Sequence, residues 1–417
     1  MQVVTLCAGA KMTDKTPKNT SSKQSSANED TEVASETEPL KTPFYDLHVQ
    51  EGGRLVDFAG YLMPIQYELG IKQEHLYCRE HVGLFDVSHM GQAELVAKDY
   101  ETAARALETI VPGDVLKLKE GRMRYSVLLN EAGGIEDDLM ITRRVLADGS
   151  SVVGLVVNAS RKSHDYDYIN QQLAEFDVSV QPQDDRALLA LQGPEAEKII
   201  SIWCGDAVGM PYMSEIETTF FDVPCRVARC GYTGEDGFEI SMATADAVRI
   251  STMLMSYPEM QLIGLGARDS LRLEAGFCLY GHDITAETSP IEADLSWIIG
   301  KRRRDNGGFL GEGRILKELN EGPLTRRVGL MPKGASAPAR EGAVLYDNDD
   351  NQIGIITSGG FGPTIGGPLA MGYVAQDYSK LGSLILVEIR GKRYEWQVTD
   401  MPFTPYRTYK AKKPTTH

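Results

Sequence analysis

A chain of 417 residues is long enough for two or three domains. Its 42% hydrophobic content is ordinary for a globular protein, and no apolar run reaches the roughly 18 residues that a membrane helix needs. The formal net charge of −16 argues against a general nucleic-acid binder, because phosphate contacts require a basic face.

Residues 1–40 are rich in Ser, Thr, Lys, Asn and Glu and poor in large apolar residues. Such a segment cannot bury enough surface to offset its ordering entropy, so a disordered extension is expected. It has no apolar signal core, lacks arginine and turns acidic after Glu29, which makes it a poor secretory signal or mitochondrial transit peptide. Ile71, His75, Cys78 and Val82 then recur at helical spacing. Residues 125–130, 139–144 and 152–157 read as successive strands separated by turns. Residues 187–192 read as a strand, followed by a helix that Pro194 opens at its first position. Residues 226–229 and 238–241 flank a glycine-bearing turn and read as a hairpin-like pair, and 246–256 and 267–275 read as helices.

The run Lys301-Arg302-Arg303-Arg304-Asp305-Asn306-Gly307-Gly308 is a charged break, and 305–322 is expected to be a linker. Beyond it, 328–331, 352–357, 370–374, 384–389 and 394–399 read as strands, with Gly391-Lys392 as a hairpin turn. The pattern predicts an α+β chain with mainly antiparallel sheet. Its main body spans 41–304, a small β barrel or sandwich spans 323–410, and 411–417 form a tail.

The six cysteines form no Cys-x-x-Cys pair and stand at no metal-ligand spacing from a histidine, so free thiols and no metal site are expected. His89 reads as a hydrogen-bonded structural histidine. The stretch Gly-Gly-Ile-Glu-Asp-Asp-Leu at 133–139 carries more information. It places three carboxylates between a glycine turn and the apolar run Leu139-Met140-Ile141. On a strand, Asp137 and Asp138 point to opposite faces, and an inward carboxylate must be bonded or functional.

Asn130-Glu131-Ala132-Gly133-Gly134-Ile135-Glu136-Asp137-Asp138-Leu139 resembles the signature of the T-protein family, the aminomethyltransferases of the glycine cleavage system. Four more segments resemble the same family in its order. They are Thr42-Pro43-Phe44-Tyr45-Asp46, then Gly83-Leu84-Phe85-Asp86-Val87-Ser88-His89-Met90-Gly91. Gly231-Tyr232-Thr233-Gly234-Glu235-Asp236-Gly237-Phe238-Glu239 follows. The last is Gly264-Leu265-Gly266-Ala267-Arg268-Asp269-Ser270-Leu271-Arg272-Leu273-Glu274. The resemblance covers roughly 41 to 409.

It implies two intertwined, mainly antiparallel α+β folate-binding subdomains and a small C-terminal β barrel around a central channel. It also implies transfer of a one-carbon unit to tetrahydrofolate, the acceptor substrate, from an aminomethyl group on the lipoyl arm of H-protein. The P- and L-proteins would be indirect partners. No metal, nucleotide cofactor, nucleic acid or membrane is implied. The compartment would be the cytoplasm in a bacterium and the mitochondrial matrix in a eukaryote.

By the same resemblance Asp138 is the essential acid, and Asp137 is structural. Glu239 matches the pterin-binding glutamate and Arg268 the folate-contacting arginine. Without the family match, Arg268 would read as a surface arginine paired with Asp269 or Asp294. Met90, Tyr125, Tyr232 and Trp297 match the ring clamp, with Tyr212 and Asn158 beside them. Many members end in a Tyr-Tyr pair whose first residue contacts substrate. Here Thr408 holds that place and Tyr409 follows, so Tyr409 is carried as the candidate contact.

Glu136, Glu94 and the turn residues Glu235 and Asp236 are read as solvated. The runs Lys301–Arg304 and Arg326-Arg327 are candidate docking sites for an acidic H-protein. A dinucleotide site is disfavoured, since neither Gly264-Leu265-Gly266 nor Gly359-Gly360-Phe361-Gly362 completes Gly-x-Gly-x-x-Gly. A folate-dependent demethylase of the same superfamily remains the alternative enzyme. A non-enzymatic folate-binding protein would carry a Lys-Gly-Cys-Tyr motif, which is absent.

Overall fold

The computed structural model describes residues 38–409. Residues 1–37 of the expected extension and the 411–417 tail lie outside the described residues. Leu40 is already held in the body, since its backbone bonds Gly60 and Leu62.

Two antiparallel sheets carry the main body. The inner one has five strands in the order Met123–Leu129, Ile135–Val145, Ser151–Val157, Gly91–Ala97 and Val178–Pro182. The outer one has six, in the order Ser214–Phe220, Val223–Arg229, Gly237–Ala243, Arg186–Gln192, Val82–Asp86 and Met260–Leu262. Its last pairing is parallel. In sequence, the whole inner sheet lies between the first and second strands of the outer one. The helix predicted from 71 spans Gly70–Glu80, and Val82 falls in the following strand. Pro194 stands two residues ahead of the helix Ala196–Trp203 rather than within it.

A seam of charges joins the two sheets. Arg144 donates to Glu215 at 2.7 Å and to Glu94 at 2.8 Å, and Arg226 donates to Glu94 at 2.9 Å. Glu94 therefore does not face solvent as expected. It is the acceptor between two arginines, which is what makes its burial tolerable.

The C-terminal strands close a six-stranded antiparallel barrel around Trp396. The turn between its last two strands is Arg390-Gly391 rather than Gly391-Lys392, because Ile389 pairs with Lys392. Both turn residues have positive φ (53° and 73°), the type I′ geometry that suits strand twist.

The segment 305–322 is not a bare linker. It carries the helix Glu312–Glu321, whose Ile315, Leu316 and Leu319 pack on the core formed with Val127, Leu129 and Ile135. The charged break before it is also a helix, Lys301–Asn306.

Glu274, fully buried at the end of the helix Leu265–Glu274, ties three parts of the chain together. Its carboxylate accepts from Arg79 (3.1 Å) and His75 (3.2 Å) of the Gly70–Glu80 helix. It also accepts from the Thr364 backbone of the barrel (2.8 Å) and from Thr404 of the C-terminal segment (3.3 Å). Burial would raise its pKa, but His75, Thr364 and Arg79 outweigh that and hold it at about 2. The folded value lies below the ordinary 4.5, so this stabilisation is present above 4.5 and is lost as pH falls towards 2. Glu274→Gln is expected to cost about 3 kcal/mol at pH 7 by leaving Arg79 under-paired. Denaturant unfolding of both proteins checks this, and the gap should narrow at pH 3.

Candidate active site

The strand Ile135–Val145 alternates buried and half-buried residues. Ile135, Asp137, Leu139 and Ile141 face the core, and Glu136, Asp138 and Met140 face the other way. Pairing sets Asp138 opposite Val127 and Met140 opposite Tyr125. The strand begins at Ile135, so Glu136 shares a face with Asp138 and is not solvated as expected. It accepts from Asn130 at 3.0 Å and Arg161 at 3.2 Å.

Asn158, just after the neighbouring strand, clamps both aspartates. Its amide donates to Asp137 Oδ1 and Asp138 Oδ1, each at 2.8 Å, and its backbone N–H donates to Asp137 Oδ2 at 3.2 Å. Behind them Asp137 meets Asp165 of the helix Lys162–Gln172. Burial and the Asp137 carboxylate push Asp165 up to about 10, so this pair holds a proton at neutral pH. Burial and the charge of Asp137 push Asp138 up to about 7, against hydrogen bonds from Asn158 and the Tyr125 hydroxyl. A carboxyl that changes charge near neutrality is suited to proton transfer.

Aromatic rings surround this acid. Tyr125 stacks on Trp297 with ring centroids 5.8 Å apart. Tyr232 donates its hydroxyl to the Cys278 carbonyl and stacks on Phe277 at 5.6 Å, and Phe277 stacks on Tyr406 at 5.5 Å. The Arg268 guanidinium lies 4.8 Å above the Tyr232 ring.

Glu239 sits in the strand Gly237–Ala243 opposite Ala228. Burial raises its pKa, which the charge of Arg268 and a hydrogen bond from the Cys230 thiol oppose. Among the described residues, neither Glu239 nor Arg268 has an ion-pair partner within 4.0 Å. Asp269 and Asp294, the alternative partners of Arg268, are taken by Arg272 and Arg326. Tyr212 lies near Glu239 and Tyr406. Met90 packs against the core cluster that holds Ala190 and Ala267, neighbours of Glu239 and Arg268.

Tyr409 is not brought to this group. Its ring lies under the Arg229 guanidinium at 3.8 Å, outside the aromatic array. Tyr406 is the C-terminal tyrosine that joins the array. The spacing to the chain end does not reveal this, because the strap formed by Thr404 and Arg407 sets the register. Thr404 bonds Glu274, and Arg407 bonds Glu235 at 2.6 Å. Glu235 and Asp236 are not solvated turn residues. Glu235 is buried between Arg79 and Arg407, and Asp236 pairs with Arg229. Among the described residues, the buried His89 has no hydrogen-bond partner at Nδ1. It packs edge-on to Phe58, and burial lowers its pKa to about 4.

The basic run at 301–304 is also largely satisfied. Arg302 pairs with Glu108 and Asp114, the buried Arg303 donates to the carbonyls of Glu108 and Gly308, and Arg304 donates to those of Ile299 and Ser296. Arg326 pairs with Asp294, and Arg327 is buried. These arginines fasten the helix Lys301–Asn306 to the body and do not form a free docking patch. The five described cysteines are buried free thiols, and Cys7 lies outside the described residues. Among the described residues no helix is long and apolar enough to cross a membrane.

The model of the GCVT N-terminal domain matches residues 44–303, and that of the glycine cleavage T-protein C-terminal barrel domain matches 326–404. The chain belongs to the glycine cleavage T-protein family. Its T-protein relatives include the mitochondrial aminomethyltransferase of Solanum tuberosum, 44% identical over 90% of this chain and 93% of that protein. The mitochondrial aminomethyltransferase of Homo sapiens is 42% identical over 89% of this chain and 92% of its own. The crystal structure of the glycine cleavage system aminomethyltransferase T from Bartonella henselae superposes with a TM-score of 0.81 at 41% identity. It covers 89% of this chain and 99% of that one.

Proposed function

We propose that this chain is a tetrahydrofolate-dependent aminomethyltransferase of the glycine cleavage system. It moves the methylene carbon of an aminomethyl-dihydrolipoyl group on H-protein to tetrahydrofolate. The C–N bond to the amino group breaks and ammonia leaves. The C–S bond breaks and returns the dihydrolipoyl thiol, and two new C–N bonds make 5,10-methylenetetrahydrofolate. The observation that supports the acceptor most directly is the pair Glu239 and Arg268, half-buried charges without ion partners among the described residues and beside stacked aromatic rings. A pterin presents a guanidine-like edge of adjacent N–H groups, and a carboxylate accepts such an edge as a fork. The rings of Tyr125, Tyr232, Trp297 and Tyr212, with Met90, supply apolar walls.

Asp138 is the group assigned to proton handling. N10 of the acceptor is a weak aryl-amine nucleophile, and a carboxylate near it accepts its proton as the carbon is captured. Asn158 orients the carboxylate, and Tyr125 caps its other side. Asp137 is structural, bonded to Asn158 and Asp165.

The P- and L-proteins would act through the same H-protein carrier. The compartment would be the mitochondrial matrix in a eukaryotic source, whose relatives are named mitochondrial, and the cytoplasm in a bacterial one. Incubating the protein with aminomethylated H-protein tests the reading. Ammonia release should be fast only with tetrahydrofolate present. Release that ignores tetrahydrofolate, or none with it, would refute the proposal.

A further inference from the structure

Behind Asp138 lies a second layer of carboxyl groups. Asp137 and Asp165 meet there, both fully buried and hydrogen-bonded to each other. Carboxylates only accept, so two of them cannot bond each other unless one holds a proton.

The surrounding donors assign that proton to Asp165. Asp137 is well supplied, since Asn158 gives it a side-chain N–H at 2.8 Å and a backbone N–H at 3.2 Å. Asp165 Oδ2 is buried and has no hydrogen-bond donor among the described residues. Its Oδ1 meets His164 Nδ1 at 3.3 Å, and the half-exposed His164 gives the pair a contact with solvent. The cations nearby are engaged elsewhere. Arg161 bonds Glu136 at 3.2 Å and lies over the Tyr280 ring, and Lys162 bonds the Tyr61 hydroxyl. Tyr166 and Tyr280 also feel the Asp165 carboxyl, and neither brings a positive charge. The strand Val178–Pro182 packs on the same helix and carries no charged side chain. The first turn of that helix favours an anion at Asp165, but burial beside the charge of Asp137 outweighs it.

The consequence reaches the acid. Burial works to protonate Asp137, and the bond from Asp165 is the foremost contact opposing it, ahead of those from Asn158. The charge so kept on Asp137 is, after burial, the main reason that Asp138 stays protonated up to about 7. Asn158 bonds both carboxyls at 2.8 Å and fixes their spacing. We propose that Asp165 is a positioning residue: its neutral carboxyl donates a proton to Asp137, holds that group ionised, and so fixes the charge against which Asp138 works. This rests on the reading of Asp138 as the proton-handling group.

Rate and melting profiles across pH test it, on the unaltered chain, Asp165→Leu and Asp165→Asn. Leucine is close to aspartate in size and cannot donate. Asp137 should then take up a proton near neutrality, and the kcat/KM limb near pH 7 should move to lower pH by about one pH unit. Asparagine donates through its amide without titrating, so its limb should stay where the unaltered chain has it. A side chain that merely packs would lower stability and leave the limb in place in both variants. The proton itself gives a second readout, independent of turnover. Asp165 is raised in the folded chain from 3.8 to about 10, so its contribution to stability is full below 3.8 and is lost as pH rises towards 10. Asp165→Asn removes that loss, so its melting temperature relative to the unaltered chain should climb from about pH 5 to about pH 9. A limb unmoved in Asp165→Leu, or a relative melting temperature of Asp165→Asn that ignores pH, would overturn the proposal and leave Asp138 as the acid. Absence of any limb near pH 7 in the unaltered chain would overturn the reading of Asp138 itself. If Asp165→Leu does not fold, Asp165→Asn decides alone. An unmoved limb with a climbing melting temperature then upholds the proposal, and a moved limb overturns it.

Discussion

Asp138→Asn is expected to keep the fold and most of the folate affinity and to lower turnover by roughly a hundredfold or more, the range for acid–base groups. The asparagine carbonyl still accepts from Asn158, so the geometry survives while the proton acceptor is lost. In the unaltered enzyme, kcat/KM should rise as pH passes through about 7 and Asp138 ionises. That limb should vanish in the variant. Stability moves the opposite way. The folded pKa is raised from 3.8 to about 7, so ionisation burdens the fold as pH rises through that window. The variant should match the unaltered protein at pH 4 and exceed it at pH 8, on the order of 2 kcal/mol given partial solvation. Asp137→Asn should cost much less turnover and shift the limb to lower pH, because the charge of Asp137 helps to raise Asp138. Rate profiles and melting curves across pH decide this. Full activity in Asp138→Asn, or equal losses in the two variants, would remove Asp138 from its role.

Glu239→Gln is expected to weaken tetrahydrofolate binding by roughly 2–5 kcal/mol, thirtyfold or more. The loss exceeds that of an exposed charge because Glu239 is held by the Cys230 thiol and the field of Arg268, with no ion-pair partner among the described residues. A glutamine in its place turns one acceptor into a donor facing the N–H groups of the pterin. Arg268→Ala should also weaken binding. Calorimetry that returns unchanged affinity for both variants would show that folate is anchored elsewhere.

Local pattern made some of this legible and long-range pairing hid the rest. A glycine turn followed by alternation set Asp137 and Asp138 on opposite faces, and the observed strand does so. The same local logic failed for Glu235, which lies in a glycine turn and reads as solvated. Its partner Arg79 lies 156 positions earlier, and no local pattern reports a bond of that reach. The arginines at 302 and 303 failed for the same reason, since Glu108 and Asp114 neutralise them from a distant segment. The helix Glu312–Glu321 was missed although Ile315 and Leu319 stand at helical spacing, because charge and glycine dominate the composition around it. Tyr406 stands ahead of the position of the family's terminal tyrosine pair, and the local sequence does not mark which tyrosine the strap carries into the array.

The nesting of the two sheets has a temporal consequence. A ribosome releases the chain from its N-terminus, and a sheet can close only when its last strand has emerged. The inner sheet is complete by Pro182, whereas the outer one begins at Val82 and waits for Met260–Leu262. The strands that carry Asp138 are thus all made before Glu239 and Arg268 can be positioned, although the core under Val127, Leu129 and Ile135 waits for Ile315. The strap that carries Tyr406 into the array is made later still.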